Sequence, residues 1–129
     1  FRPSEQLDRP YVMLGFNIFA ADTDEEARVL ATSAQQSFVA LRTGQPKRLP
    51  PPLPGYLDTL GRGERAMLDS VLSCTAIGSP ATVKAGLESF IRRTGADELM
   101  LTSMMYDHDA RLRSYEIAAG VREEIALAA

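Results

Sequence analysis

Two apolar runs frame the chain, and the stretches that follow them carry apolar residues at helical spacing. YVMLGFNIFAA at residues 11–21 is almost continuously apolar and predicts a strand buried on both faces, as in parallel sheets. In the following segment Thr23 and Glu26 have capping-box spacing, and Ala27, Leu30, Ala31, Ala34, Phe38 and Leu41 recur at helical intervals up to Gly44. That pattern predicts a helix over 24–43.

Residues 45–62 are rich in proline and glycine and read as an extended surface connector. A short helix over 63–73 places Ala66, Met67, Val71 and Leu72 near one face. The next helix, 80–94, has Ser79 as its N-cap, Pro80 at the first turn, a stripe of Val83, Leu87, Phe90 and Ile91, and Gly95 at its end. A short turn leads to a second strand over 98–104. The last helix, 108–126, is capped by Asp107 and carries Leu112, Tyr115, Ala119 and Ile125 on one side.

Alternation of strands and helices calls for a parallel sheet covered by helices, an α/β class. Two parallel strands alone leave faces and edges exposed. The chain therefore reads as the last part of a larger α/β domain, and the absence of an initiator Met points the same way. By the same reasoning it is expected to associate as a homo-oligomer when alone.

Composition narrows the partners. With 129 residues and 45% hydrophobic content, one core is expected. A net charge of −3 with no block of like charges gives no attraction for nucleic acid or an anionic membrane. No run is long enough to cross a bilayer. The one cysteine, Cys74, rules out an intramolecular disulfide and the usual metal-site spacings, which favours a cytoplasmic setting and no metal.

Three motifs in order, AADTDEEAR after the first strand, IGSPATV opening a helix and GADELMLTSMMYDHDARLRSYEI near the end, resemble the carboxy-terminal part of the luciferase-like monooxygenase family. The resemblance spans roughly residues 10–125. It implies the C-terminal portion of a (β/α)8 TIM barrel, here two parallel strands with covering helices. It also implies an enzyme that uses reduced FMN, or in some relatives a deazaflavin, with O2 on a small organic substrate. A piece of a barrel is not expected to bind the flavin or to turn over alone. The other readings are a catalytically silent interaction or assembly module and a small ligand-binding α/β domain.

In such a barrel the ends of the strands form the active site. Thr102, Ser103, Tyr106 and His108 would then lie at the rim of the flavin and substrate cleft. His108, the sole histidine, is the catalytic candidate because its pKa suits proton transfer, and it could equally be a first-turn helical residue beside a carboxylate. Asn17, Ser103 and Tyr106 are the cofactor-binding candidates. Asn17 is a polar side chain inside an apolar strand and needs a partner, from a neighbouring strand or from the cleft. It should share a face with Met13, Gly15 and Phe19. Arg111 and Arg113 read as phosphate contacts or as ion-pair residues, and Asp22 and Thr23 as helix caps.

Overall fold

The computed structural model describes residues 1–128, with side chains through Ile125. Met13–Ala20 forms strand β1 and Asp24–Arg42 helix α1. After the connector and a single 3-10 turn at Tyr56–Thr59, Arg62–Val71 forms α2, Thr75–Gly78 β2 and Pro80–Thr94 α3. Glu98–Thr102 is β3 and His108–Ala128 is α4.

The sheet has three strands, not the two that the sequence suggests, in the order β2-β1-β3. Both neighbours run parallel to β1: Asn17 to Ala20 pair with Thr75 to Gly78, and Met13 to Asn17 pair with Glu98 to Thr102. The TAIG segment escapes a pattern reading because it has only four residues, wedged between the end of one helix and the cap of the next. Its pairing is nonetheless firm, since Asn17 N–H donates to Cys74 O at 2.9 Å and Ala21 N–H to Gly78 O at 3.2 Å.

Side-chain alternation divides β1 between two layers. Phe16, Ile18 and Ala20 face Val83, Leu87 and Phe90 of α3 and Ile117, Ala118 and Val121 of α4, and this layer is the main core. Phe16 and Phe90 lie at its centre, with ring centroids 4.7 Å apart at 46°. On the opposite face Phe19 and Ile77 meet Ala31, Ala34 and Phe38 of α1, together with Met105. This second face is uncovered over the first half of β1 and along β3, so the expected two-sided burial fails there: Met13, Gly15, Met100 and Thr102 are exposed.

Two helices turn differently from their apolar patterns. In α4 the buried positions are Ser114, Ile117, Ala118 and Val121, while Leu112 and Tyr115 are exposed. A serine faces the core because its hydroxyl is needed there, as described below. In α2 Leu68 is the buried residue, and Ala66 faces solvent. Leu41, at the last turn of α1, is also exposed.

The proline-rich segment is held against α1. Leu53 N–H donates to Thr32 Oγ1 at 2.9 Å, and Gln36 Nε2 donates to Pro51 O at 3.0 Å. Two of the backbone groups that proline-rich chain leaves without regular partners are thus satisfied by one helix face.

Candidate functional site

Parallel strands bring their C-terminal ends to one side of the molecule, and the helices that follow start there. The motifs singled out in the sequence meet on this side through hydrogen bonds.

The first junction joins AADTDEEAR to IGSPATV. Thr23 caps α1 as expected, its Oγ1 accepting from Glu26 N at 3.2 Å. Asp24, the next residue, reaches across to α3: its Oδ1 accepts from Ser79 N at 2.7 Å and from Thr82 Oγ1 at 2.8 Å. Ser79 therefore does not cap α3 with its own side chain. A carboxylate from another helix does so, placed where the N-terminal dipole favours negative charge. Gly78 makes room for it, because a Cβ there would lie 2.5 Å from Asp24 Oδ1 and 2.6 Å from Thr82 Cβ.

The bond from the Ser79 backbone, then that from the Thr82 hydroxyl, lowers the Asp24 pKa from its ordinary 3.8. A carboxyl with a folded pKa below its unfolded one contributes stability above the unfolded value and loses it as pH falls through the folded one. The melting temperature is therefore expected to fall on acidification below about pH 4, and less steeply in Asp24→Asn. Thermal melts across that range check this; parallel curves for the two proteins would show that Asp24 is not responsible.

The second junction is buried. Ser114 Oγ, on α4, accepts from Ala20 N at 3.0 Å and is 3.2 Å from Ser103 Oγ. Ser103 N–H in turn donates to Tyr115 Oη at 3.0 Å. Ser103 is thus occupied in tying the end of β3 to α4, and its hydroxyl is buried rather than offered to a ligand.

The third group lies at the start of α4. Asp107 caps the helix, its Oδ1 accepting from Ala110 N at 2.8 Å. His108 is exposed, and its Nδ1 is 2.7 Å from Arg111 Nη2. Tyr106 is also exposed, and its hydroxyl makes no hydrogen bond among the described residues. Arg113 binds Asp22 Oδ1 through Nη2 at 2.8 Å and through Nε at 3.1 Å, and Glu116 Oε2 through Nη1 at 3.2 Å. A shallow hollow of about 350 Å³ beside these residues is lined by Glu26, Asp107, Asp109 and Arg113 at its polar rim. Three carboxylates around one arginine that is already paired do not make an anion site.

Asn17 behaves as its position in the strand requires. Its Oδ1 accepts from Thr102 Oγ1 at 2.6 Å, and its Nδ2 donates toward Thr75 Oγ1 at 3.4 Å. The three side chains form a polar row across all three strands, on the uncovered face between Met13 and Met100 on one side and Phe19 on the other. Among the described residues the second N–H of the amide and the Thr75 hydroxyl proton have no hydrogen-bond partner. The structure thus brings together Asn17, a cofactor-binding candidate, and Thr102, an expected rim residue. His108 and Tyr106 make no bond to them.

A larger hollow, about 610 Å³, lies at the opposite ends of the strands, with Leu87, Ile91, Leu99 and Ile125 among its walls. Its acidic groups already hold the chain entering β1: Asp97 Oδ2 accepts from Val12 N at 2.8 Å and Glu98 Oε2 from Tyr11 Oη at 2.9 Å. Among the described residues no cluster of His, Cys, Asp and Glu could hold a metal ion, and no helix is long and apolar enough to cross a membrane.

Fold and site together define a parallel α/β unit whose helix-starting ends are locked by side chains and whose sheet leaves one polar row open. No family model matches the chain. A luciferase-like monooxygenase of Escherichia coli strain K12 is 42% identical over 125 residues, which is 97% of this chain and 37% of that protein. The uncharacterized protein YvbT of Bacillus subtilis strain 168 is 46% identical over 121 residues, 94% of this chain and 36% of that protein. The crystal structure of apo-MsnO8 superposes with a TM-score of 0.80 at 27% identity, covering 95% of this chain and 38% of that one. Over nearly its whole length the chain is similar to luciferase-like monooxygenases, and it spans a little over a third of their length.

Proposed function

We propose that this chain is part of a flavin-dependent luciferase-like monooxygenase that uses reduced FMN and O2 to oxidise a small organic substrate, and that it forms the C-terminal portion of its (β/α)8 barrel. The observation that carries this reading is the 42% identity over 97% of the chain with a protein named luciferase-like monooxygenase. The parallel pairing of β1 with both β2 and β3, with helices between successive strands, supports the parallel-barrel reading.

A flavin phosphate does not fit the residues at the strand ends, where the hollow is acidic and Arg113 is paired. A flavin ring edge fits the Asn17 row better, since carbonyl and nitrogen acceptors suit its spare N–H. When bound, reduced flavin supplies the electrons that activate O2. This chain's contribution in that reading is to orient the ring edge through Asn17, itself fixed by Thr75 and Thr102, and to close one wall against water.

Two measurements test the proposal. A protein of the relatives' full length that carries this segment is expected to bind reduced FMN, seen by flavin fluorescence, and to consume O2 in a substrate-dependent manner. Reduced deazaflavin in parallel identifies the cofactor. Failure with both flavins would overturn the reading. The 129-residue chain alone is expected to show no turnover, because its polar row is open to water.

A further inference from the structure

His108 is the sole histidine of the chain, and its ring is held by a partner that can only donate. Asp107 caps α4, which sets His108 in the first turn, three residues ahead of Arg111 and on the same side of the helix. Arg111 Nη2 lies 2.7 Å from His108 Nδ1, within the short range of charge-assisted hydrogen bonds. The neighbouring acids do not claim this arginine. Among the described residues no carboxylate forms an ion pair with Arg111, although Asp107 and Asp109 flank the histidine, whereas Arg113 is bound by Asp22 and Glu116.

A guanidinium carries donors only and keeps its proton in proteins. Nδ1 must therefore hold its lone pair, and the single ring proton of the neutral imidazole sits on Nε2. That nitrogen has no hydrogen-bond partner among the described residues, and the ring is exposed. Its place at the start of α4 puts it on the side where the strands end, the side on which parallel α/β proteins bind their ligands.

We propose that His108 acts as an uncharged hydrogen-bond donor, offering Nε2–H to a carbonyl oxygen of flavin or substrate, and that Arg111 is the positioning residue that fixes the ring and its tautomer. His108 is then not the proton carrier that a lone histidine suggests. A second proton, on Nδ1, would break the bond to Arg111 and set two cations side by side. The surrounding charge selects the ligand: Glu26, Asp107 and Asp109 line the hollow beside the ring, so an anionic group is repelled and an uncharged acceptor oxygen fits. This role rests on the monooxygenase reading, but the pairing of His108 with Arg111 does not.

Because the chain has one histidine, nitrogen NMR of the 129-residue chain reads its ring without ambiguity. At mildly alkaline pH the parent is expected to show a bare, hydrogen-bonded Nδ1 and a protonated Nε2, and Arg111→Met should shift the Nδ1 signal and restore the tautomer mixture of a free imidazole. Identical spectra for the two would overturn the pairing. In a protein of the relatives' full length that carries this segment, reduced FMN and cyclohexanone are the probes. His108→Asn and Arg111→Met are each expected to raise the Kd of one probe about tenfold, the loss of one hydrogen bond, and the probe affected tells whether the oxygen is the flavin's or the substrate's. His108→Gln, whose amide N–H can take the place of Nε2–H, should stay near the parent. Unchanged Kd values for both probes, or equal losses in the Asn and Gln variants, would overturn the proposal. A parent that does not bind reduced FMN would overturn the monooxygenase reading and this role with it, and the NMR spectra would still decide the pairing.

Discussion

Phe90→Ala is expected to cost the chain about 3–5 kcal/mol, the usual range for a buried aromatic truncated in a core. Phe90 is 5% exposed and stands between Phe16 on the central strand and the α4 residues Ile117 and Val121 in the main core. Removing the ring leaves a cavity that neither side can readily fill. β1 is pinned between two strands, and α4 is tied to Ala20 through Ser114. The ring also supports the guanidinium of Arg93, 5.5 Å from its centroid, so a cation loses its seat as well. Because a small domain has a total stability of about 5–15 kcal/mol, the variant should be largely unfolded well below the parent's melting temperature. Urea titration at one fixed protein concentration measures the difference; a loss below about 1 kcal/mol would mean that the α3 interface relaxes around the gap.

A second large effect is expected from a single added methyl group. In Gly78→Ala the new Cβ would sit 2.5 Å from a carboxylate oxygen and 2.6 Å from two carbons of Thr82, inside any tolerable contact. The start of α1 and the start of α3 must then separate, breaking the bonds of Asp24 to Ser79 and Thr82. Overpacking of this kind typically costs about 1–3 kcal/mol. Gly15→Ala is the control for losing a strand glycine, with nothing within 4 Å of its added Cβ, while at Gly78, φ 159°, backbone strain adds to the crowding. The first substitution should lower the melting temperature by several degrees and the second should leave it near the parent value. Equal effects would show that the loss reflects glycine flexibility and not crowding.

How far the sequence discloses this molecule depends on the kind of signal each element carries. Helices bounded by caps and glycine were readable: α3 spans Pro80–Thr94 and ends at Gly95 in the left-handed conformation, φ 64°. The central strand stood out because its second half is apolar on both faces. β2 did not, since four residues show no period. The face of α4 was misplaced because Ser114 lies inward; a hydroxyl that satisfies the amide of Ala20 outweighs the exposure of Leu112, and hydropathy cannot register a hydrogen bond to a strand that lies 94 residues away.

The candidate site divides the same way. Asn17 was legible as a polar group in an apolar strand, because such a group must find a partner. Its two threonine partners come from strands on either side, one of them the strand that pattern reading missed. Ser103 stands at the end of a strand, and its tie to Ser114 and Tyr115, eleven and twelve residues further along on α4, has no signal in the sequence. Asp24 was hidden behind Thr23, which already explains the cap of α1. The surplus acid in ADTDEE was the available clue, one carboxylate more than that helix start needs.

The strand order also fixes the order of events in time. β1 is synthesised before its two partners and lies between them in the sheet: the Asn17 bond to Thr75 closes a loop of 58 residues and the one to Thr102 a loop of 85. Contacts of such long sequence separation slow folding, because the entropy of closure is spent before the pairing returns it. At about 5–20 residues per second, several seconds separate the synthesis of β1 from that of β3. Among the described elements that follow β1, α1 is the first to shelter it, through Ala31 and Ala34 against Phe19.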